Sequence, residues 1–281
     1  QSLAEVTGEV AHLPLKTALE PGFHPGFVVQ KVQIGNAQVL KAELACPGSD
    51  AGLELVIVDD SSVHSGIARK HQGSSIMNSP VHSRSRRLVQ VEQLYTAEQS
   101  RMLDRLAIEG GQPGITLMRR AGQAVFEVLL AGWPSLRHLS ICCGRGNNAG
   151  DGYVVAGLAR AQGLTVELIQ VGDPADLSGD AAAARDEALR AGVKVIRTDD
   201  GGVAPNGEVI VDALLGTGIQ GAPRPAYARL IEAVNATGRP VVAVDIPSGV
   251  AADCGAVAGA AIRAHTTVTF IARKIGLHTG A

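Results

Sequence analysis

The chain has 281 residues, 46% of them hydrophobic and 19% charged, with 25 basic side chains against 27 acidic ones. That near-balance leaves a net charge of -2, and with one Trp, three Tyr and four Phe it carries neither the basic footprint nor the stacking aromatics of a nucleic-acid binder. No apolar run reaches the roughly 18–20 residues of a membrane span, and no basic segment followed by an apolar one opens the chain as a signal peptide would. The four cysteines, Cys46, Cys142, Cys143 and Cys254, lack CxxC spacing. They read as buried thiols in a reducing, cytoplasmic setting, with zinc disfavoured.

The text divides near residue 90. Short apolar patches up to residue 61, broken by Pro/Gly turns, are consistent with a small β-rich module. Residues 61–87 are rich in Ser, His and Arg and read as a linker. Five histidines fall in this half (His12, His24, His64, His71, His82) without metal-ligand spacing, so solvated loop positions are expected. The first methionine is Met77. Residues 1–90 are therefore read as a poorly defined extension and linker, with 1–76 as upstream sequence or an added segment, and residues 91–281 as the working domain.

From Thr96 the pattern is regular. Thr96-Ala97-Glu98-Gln99 predicts a capping box, followed by a helix with Met102, Leu103, Leu106 and Ala107 on one face. Gly110-Gly111-Gln112-Pro113-Gly114 stops it, and a second helix is expected over 115–130. Strands then alternate with helices: strands at 138–143, 165–171, 193–197, 209–214, 240–246 and 266–272, helices at 152–162, 178–191 and 227–237. Strands as uniformly apolar as Val241-Val242-Ala243-Val244 suit a sheet covered on both faces. The fold class is α/β: a doubly wound, mostly parallel, Rossmann-like sheet with helices on both faces.

Three polar clusters follow strand ends, the edge where open α/β sheets bind ligands. Gly144-Arg145-Gly146-Asn147-Asn148-Ala149-Gly150-Asp151-Gly152 lies before a helix. Its spacing, Gly-x-Gly-x-x-x-Gly, is one residue longer than the dinucleotide fingerprint, and its amides and carboxylate suit a polar ligand or a cation. Asp212 sits in an apolar strand, where a lone acid is costly, ahead of Gly216-Thr217-Gly218-Ile219-Gln220-Gly221. Asp245 ends another such strand before Ile246-Pro247-Ser248-Gly249; without Gly-x-Ser-x-Gly, this is no nucleophile elbow. Each cluster has an ordinary reading as a helix start or a turn. Together they predict a ring of Asn and Asp at one sheet edge.

These motifs resemble the NAD(P)H-hydrate epimerase family, the YjeF N-terminal domain, over residues 91–281. Tyr95-Thr96-Ala97-Glu98-Gln99 and Leu117-Met118…Ala121-Gly122 are similar to its first two helices, although members often carry an acid where this chain has Arg119 or Arg120. The resemblance implies interconversion of the R and S hydrates of NADH and NADPH, so that an S-specific dehydratase can repair both. It implies substrate contacts at Asn147, Asn148, Ala149, Gly150, Asp151, Gly216, Thr217, Gly218, Ile219, Gln220, Gly221, Ala222 and Asp245. Potassium is implied between Asn148, Asp212 and Ser248, with Asp245 as acid/base and Asp151 as second choice. Relatives add a C-terminal dehydratase domain and are often homodimers; no dehydratase activity is expected from residues 1–281. Two rivals stand beside this reading. One is a non-catalytic scaffold, which loss of the Asn/Asp ring would favour. The other is a dehydrogenase using Glu167 to hold a ribose.

Overall fold

A computed structural model describes residues 93–279, together with the backbone of three strands, β1 (Phe27–Ile34), β2 (Ala37–Leu44) and β3 (Glu54–Asp59). The linker expected over 61–87 and the five N-terminal histidines lie outside the described residues.

The remaining strands are β4 (His138–Cys143), β5 (Thr165–Val171), β6 (Val195–Thr198), β7 (Val209–Ala213), β8 (Val241–Val244) and β9 (Thr266–Thr269). They are parallel throughout and stand in the order β9-β8-β7-β4-β5-β6. The backbone of β1–β3 continues the sheet beyond β9 as antiparallel neighbours. The chain winds outward one way from β4 to β6, then restarts beside β4 with β7 and winds the other way. Between β4 and β7 the connections therefore diverge to opposite faces and open a crevice at the carboxyl edge.

The helices are α1 (Ala97–Glu109), α2 (Gly114–Gly132), α3 (Asn147–Ala161), α4 (Gly179–Arg190), α5 (Pro225–Ala236) and the single turn α6 (Gly276–Thr279). One core packs α2, α3 and α4 on the sheet, through Val125, Leu129, Tyr153 and Ala184. The opposite core packs α5 through Leu230, Ile231 and Val234. The adjacent thiols obey the strand period: Cys143 enters the first core and Cys142 the second. Both are free and buried. Among the described residues no helix is long and apolar enough to cross a membrane.

The first helix forms as its sequence predicts at its start and differs along its face. Thr96 Oγ1 accepts from the Gln99 N–H at 3.2 Å while Gln99 Oε1 accepts from the Thr96 N–H at 2.9 Å, closing the capping box. Yet Met102 and Leu106 are 46% and 54% exposed, and only Ala97 and Ser100 are buried. Of the face expected to pack against the core, Leu103 and Ala107 are half-buried while Met102 and Leu106 are open, because α1 lies along the rim of the crevice and not on the sheet. The second correction concerns α3, which begins at Asn147, five residues before the expected start at Gly152. The Asn/Asp run is thus the first turn of a helix and not a loop. Gly146, extended and without a capping side chain, lets the chain turn directly from β4 into it.

Gly152 shows why that helix carries so many small residues. A Cβ there would stand 2.7 Å from Ala213 Cβ and 2.8 Å from Cys143 Sγ, so α3 rides directly on β4 and β7. Gly152→Ala is expected to lower unfolding free energy by about 1–3 kcal/mol, measured by urea titration. An unchanged midpoint would show that α3 has room to move away.

Candidate active site

The crevice holds a cavity of about 760 Å³ walled by the turns after β4 and β7, the ends of β8 and β9, and the rims of α1 and α4. Of the predicted contact residues, Asn147, Asn148, Asp151, Gly216, Thr217, Gly218, Ile219, Gln220, Ala222 and Asp245 line it. Ala149, Gly150 and Gly221 do not. Ala149 is fully buried and its carbonyl accepts from Cys143 Sγ at 3.7 Å. Gly150 instead leaves space for a neighbour, since a Cβ there would meet Met118 Sδ at 2.5 Å.

Below the cavity floor Asp212 and Ser248 form a closed pair. Asp212 Oδ1 accepts from Ser248 Oγ at 2.6 Å and from the Leu214 N–H at 3.2 Å, and its Oδ2 accepts from the Ser248 N–H at 2.8 Å. Full burial pushes the Asp212 carboxyl up to about 6, although the Ser248 and Leu214 bonds oppose the shift. Ser248 Oγ also accepts from the Leu215 N–H at 2.9 Å, which ties the glycine loop to this pair. Next along that loop, Gly216 lies against Asn148, with 3.4 Å between the Asn148 Cβ and the position a Cβ on Gly216 would take. Asn148 is 8% exposed, and neither its Oδ1 nor its Nδ2 has a hydrogen-bond partner.

An orphaned buried amide is costly unless something completes it. Asn148, Asp212 and Ser248 offer oxygen donors around one glycine loop, a set matched to a hard cation and not to zinc. These residues fit the potassium that the sequence resemblance implies.

Asp245 also lines the cavity, on a backbone with φ of 68°. Asp is among the few residues that tolerate this region. The Ile246 N–H returns to the Val244 carbonyl at 2.8 Å, closing a tight γ-turn that cuts β8 off two residues earlier than expected. Strand β9 ends the same way. Ile271 has φ of 65° and the Ala272 N–H reaches the Phe270 carbonyl at 2.6 Å. For a β-branched residue this conformation costs roughly 1–2 kcal/mol, and such strain concentrates at functional sites.

Three acids face this corner from different elements: Asp245, Asp151 on α3 and Asp104 on α1. Burial, then the Asp245 and Asp104 charges, hold the Asp151 carboxyl well above the usual carboxylate range, with Lys274 opposing. Asp104 is shifted the same way, by burial and by Asp180 and Asp245. Asp245 itself is ion-paired to Lys274, a lysine whose side chain is 1% exposed. Sequence reasoning missed Lys274, Asp104 and Gln170. Gln170 is buried in β5, where its Nε2 donates to the Gly144 carbonyl and its Oε1 accepts from Tyr153 OH at 3.1 Å, so it fixes the start of the first glycine run. A polar residue amid an apolar strand was the available signal, the same one that marks Asp212.

The dehydrogenase rival loses its acid. Glu167 lies in the first half of β5, accepting from Ser140 Oγ at 2.6 Å and the Asn206 N–H at 3.1 Å, and is absent from the cavity wall.

Six parallel strands in this order, with amides and acids gathered around a cavity at the switch point, define a doubly wound α/β domain. The chain belongs to the family described as YjeF-related protein N-terminus, whose model matches residues 114–276. It is 45% identical over 186 residues to the bifunctional NAD(P)H-hydrate repair enzyme Nnr of Coxiella burnetii, covering 66% of this chain and 38% of that protein. It is 39% identical over 188 residues to the NAD(P)H-hydrate epimerase of Limosilactobacillus reuteri strain DSM 20016, covering 66% of this chain and 88% of that one. The chain thus spans about a third of the length of the bifunctional relatives it matches. In fold it is similar to the crystal structure of the yeast protein YNL200c, with a TM-score of 0.54 and 21% identity over 61% of this chain and 77% of that one.

Proposed function

We propose that this chain is an NAD(P)H-hydrate epimerase, interconverting the R and S hydrates of NADH and NADPH for repair by an S-specific dehydratase. The observation that carries the reading is the convergence of Asp151, Asp245 and the orphaned Asn148 on one cavity. The names of the relatives, one an epimerase alone and others bifunctional repair enzymes, point the same way.

The chemistry required is modest. At the hydrated ring carbon the C–O bond breaks, the ring-nitrogen lone pair fills the vacancy, and water adds back on the other face. Asp151, favoured in its protonated form by its surroundings, gives the proton with which hydroxide leaves as water. Asp245, as the carboxylate paired with Lys274, takes the proton of the water that returns. The proton has then moved from Asp151 to Asp245, and exchange with solvent water returns both carboxyl groups to their starting states before the next turnover. Two carboxyl groups held in different states supply the acid and the base.

The start of α3, with its free N–H groups and no side-chain cap, opens on the cavity beside Arg145 and Arg224 and suits the pyrophosphate. Asn148, Asp212 and Ser248 would hold potassium, which when bound would supply a fixed positive charge beside the glycine loop. Pure S-hydrate incubated with the protein and resolved chromatographically is expected to yield the R form faster than spontaneous exchange. Persistence of the S form at the spontaneous rate, from a folded sample, contradicts the reading.

A further inference from the structure

Lys274 is the most enclosed charge at the cavity, and the scheme so far uses it only as the counter-charge of Asp245. Its ammonium makes three contacts, which use all three of its protons: the Asp245 carboxylate, Thr269 Oγ1 at 2.8 Å and the Phe270 carbonyl at 2.8 Å. Thr269 Oγ1 in turn donates to Asp245 Oδ1 at 3.3 Å.

These partners are not scattered. Asp245 is the central residue of the γ-turn that ends β8, and Phe270 is the first residue of the γ-turn that ends β9. Both turns hold a non-glycine residue in the left-handed region, Asp245 and Ile271, and both of these line the cavity. A strained conformation persists only where its surroundings over-determine it. One buried ammonium spans the two turns. Its backbone is itself anchored, because Tyr95, just before α1, bridges to the Lys274 segment through Tyr95 N–H to Arg273 O at 2.7 Å and Ile275 N–H to Tyr95 O at 3.0 Å.

We propose that Lys274 is a positioning residue of this site: it clamps the γ-turns of β8 and β9 together and thereby fixes the direction in which the Asp245 carboxylate meets the substrate. It does not touch the reacting carbon. The role of Asp245 in this statement rests on the epimerase reading; the clamp itself does not.

A displacement of about 1 Å at a catalytic group costs on the order of 100-fold in rate, whereas binding elsewhere on the ligand is kept. Lys274→Met is therefore expected to lower kcat for hydrate epimerisation by about 30-fold or more, with KM changed less than about threefold. Independently of turnover, hydrogen exchange at the Ile246 and Ala272 amides, the donors of the two turns, is expected to quicken by at least about tenfold while amides of β7 keep their protection. Thr269→Val, which removes one hydroxyl and keeps the shape, is expected to lower kcat by about threefold to tenfold. It decides the matter if Lys274→Met does not fold. Wild-type kcat with unchanged exchange at both turns overturns the clamp. A wild-type chain without epimerase activity overturns the functional reading instead, and the exchange measurement still tests the clamp.

Discussion

Asp245→Asn is expected to lower kcat for hydrate epimerisation by at least about 100-fold, with KM changed little, when initial rates are measured on purified R-hydrate. General acid–base help is typically worth 10²–10⁴-fold, and an amide can neither take nor return the proton. Asparagine is the right replacement because it tolerates the φ of 68° as aspartate does. Its carbonyl can still accept from Lys274, with Thr269 and Phe270 as the other acceptors. Some stability is nonetheless lost, since a buried ammonium without its counter-charge is costly. A control by circular dichroism separates that loss from chemistry. Near-normal turnover by Asp245→Asn would remove Asp245 from the mechanism and move the role to Asp151 or Asp104.

The second large effect is on stability and follows from Asp212. A folded-state value of about 6, against about 3.9 in an unfolded chain, means the folded form binds the proton more tightly. Its contribution therefore favours folding below about pH 4, weakens as pH rises, and above about pH 6 has cost about 3 kcal/mol. Asp151 and Asp104 act in the same direction. A cation bound to the Asp212 carboxylate opposes this cost, and below pH 6 it must first displace a proton. Potassium at a hundredfold excess over its dissociation constant adds about 2.7 kcal/mol, or roughly 5–10 °C in Tm for a domain of this size. Potassium chloride compared with choline chloride at equal ionic strength is therefore expected to raise Tm at pH 8 and to do so much less at pH 5. Asp212→Ala is expected to abolish the difference. Equal Tm values in the two salts at pH 8 contradict the cation site.

The parallel sheet and the placing of Asn148, Asp212 and Asp245 at one edge of it were legible because each depends on strong contrasts. Uniformly apolar strands such as Val241–Val244 have few alternatives, and an acid at the end of one needs a reason to be there. The start of α3 was misplaced because small polar residues read as loop. Only the packed structure shows Gly150 and Gly152 leaving room for Met118, Cys143 and Ala213. The short ends of β8 and β9 had no warning at all, since Ile271 is among the residues least suited to positive φ. Lys274 could have been noticed by the contrast that marks Asp212, but its partner lies 29 residues away and is reached only through the turns.

The most direct test of the account mixes the purified chain, potassium, R-NADHX and an S-specific dehydratase, and follows the return of absorbance at 340 nm. Recovery well above the spontaneous rate, lost in Asp245→Asn, is the predicted result. Recovery no faster than without the chain, from a folded sample, contradicts it.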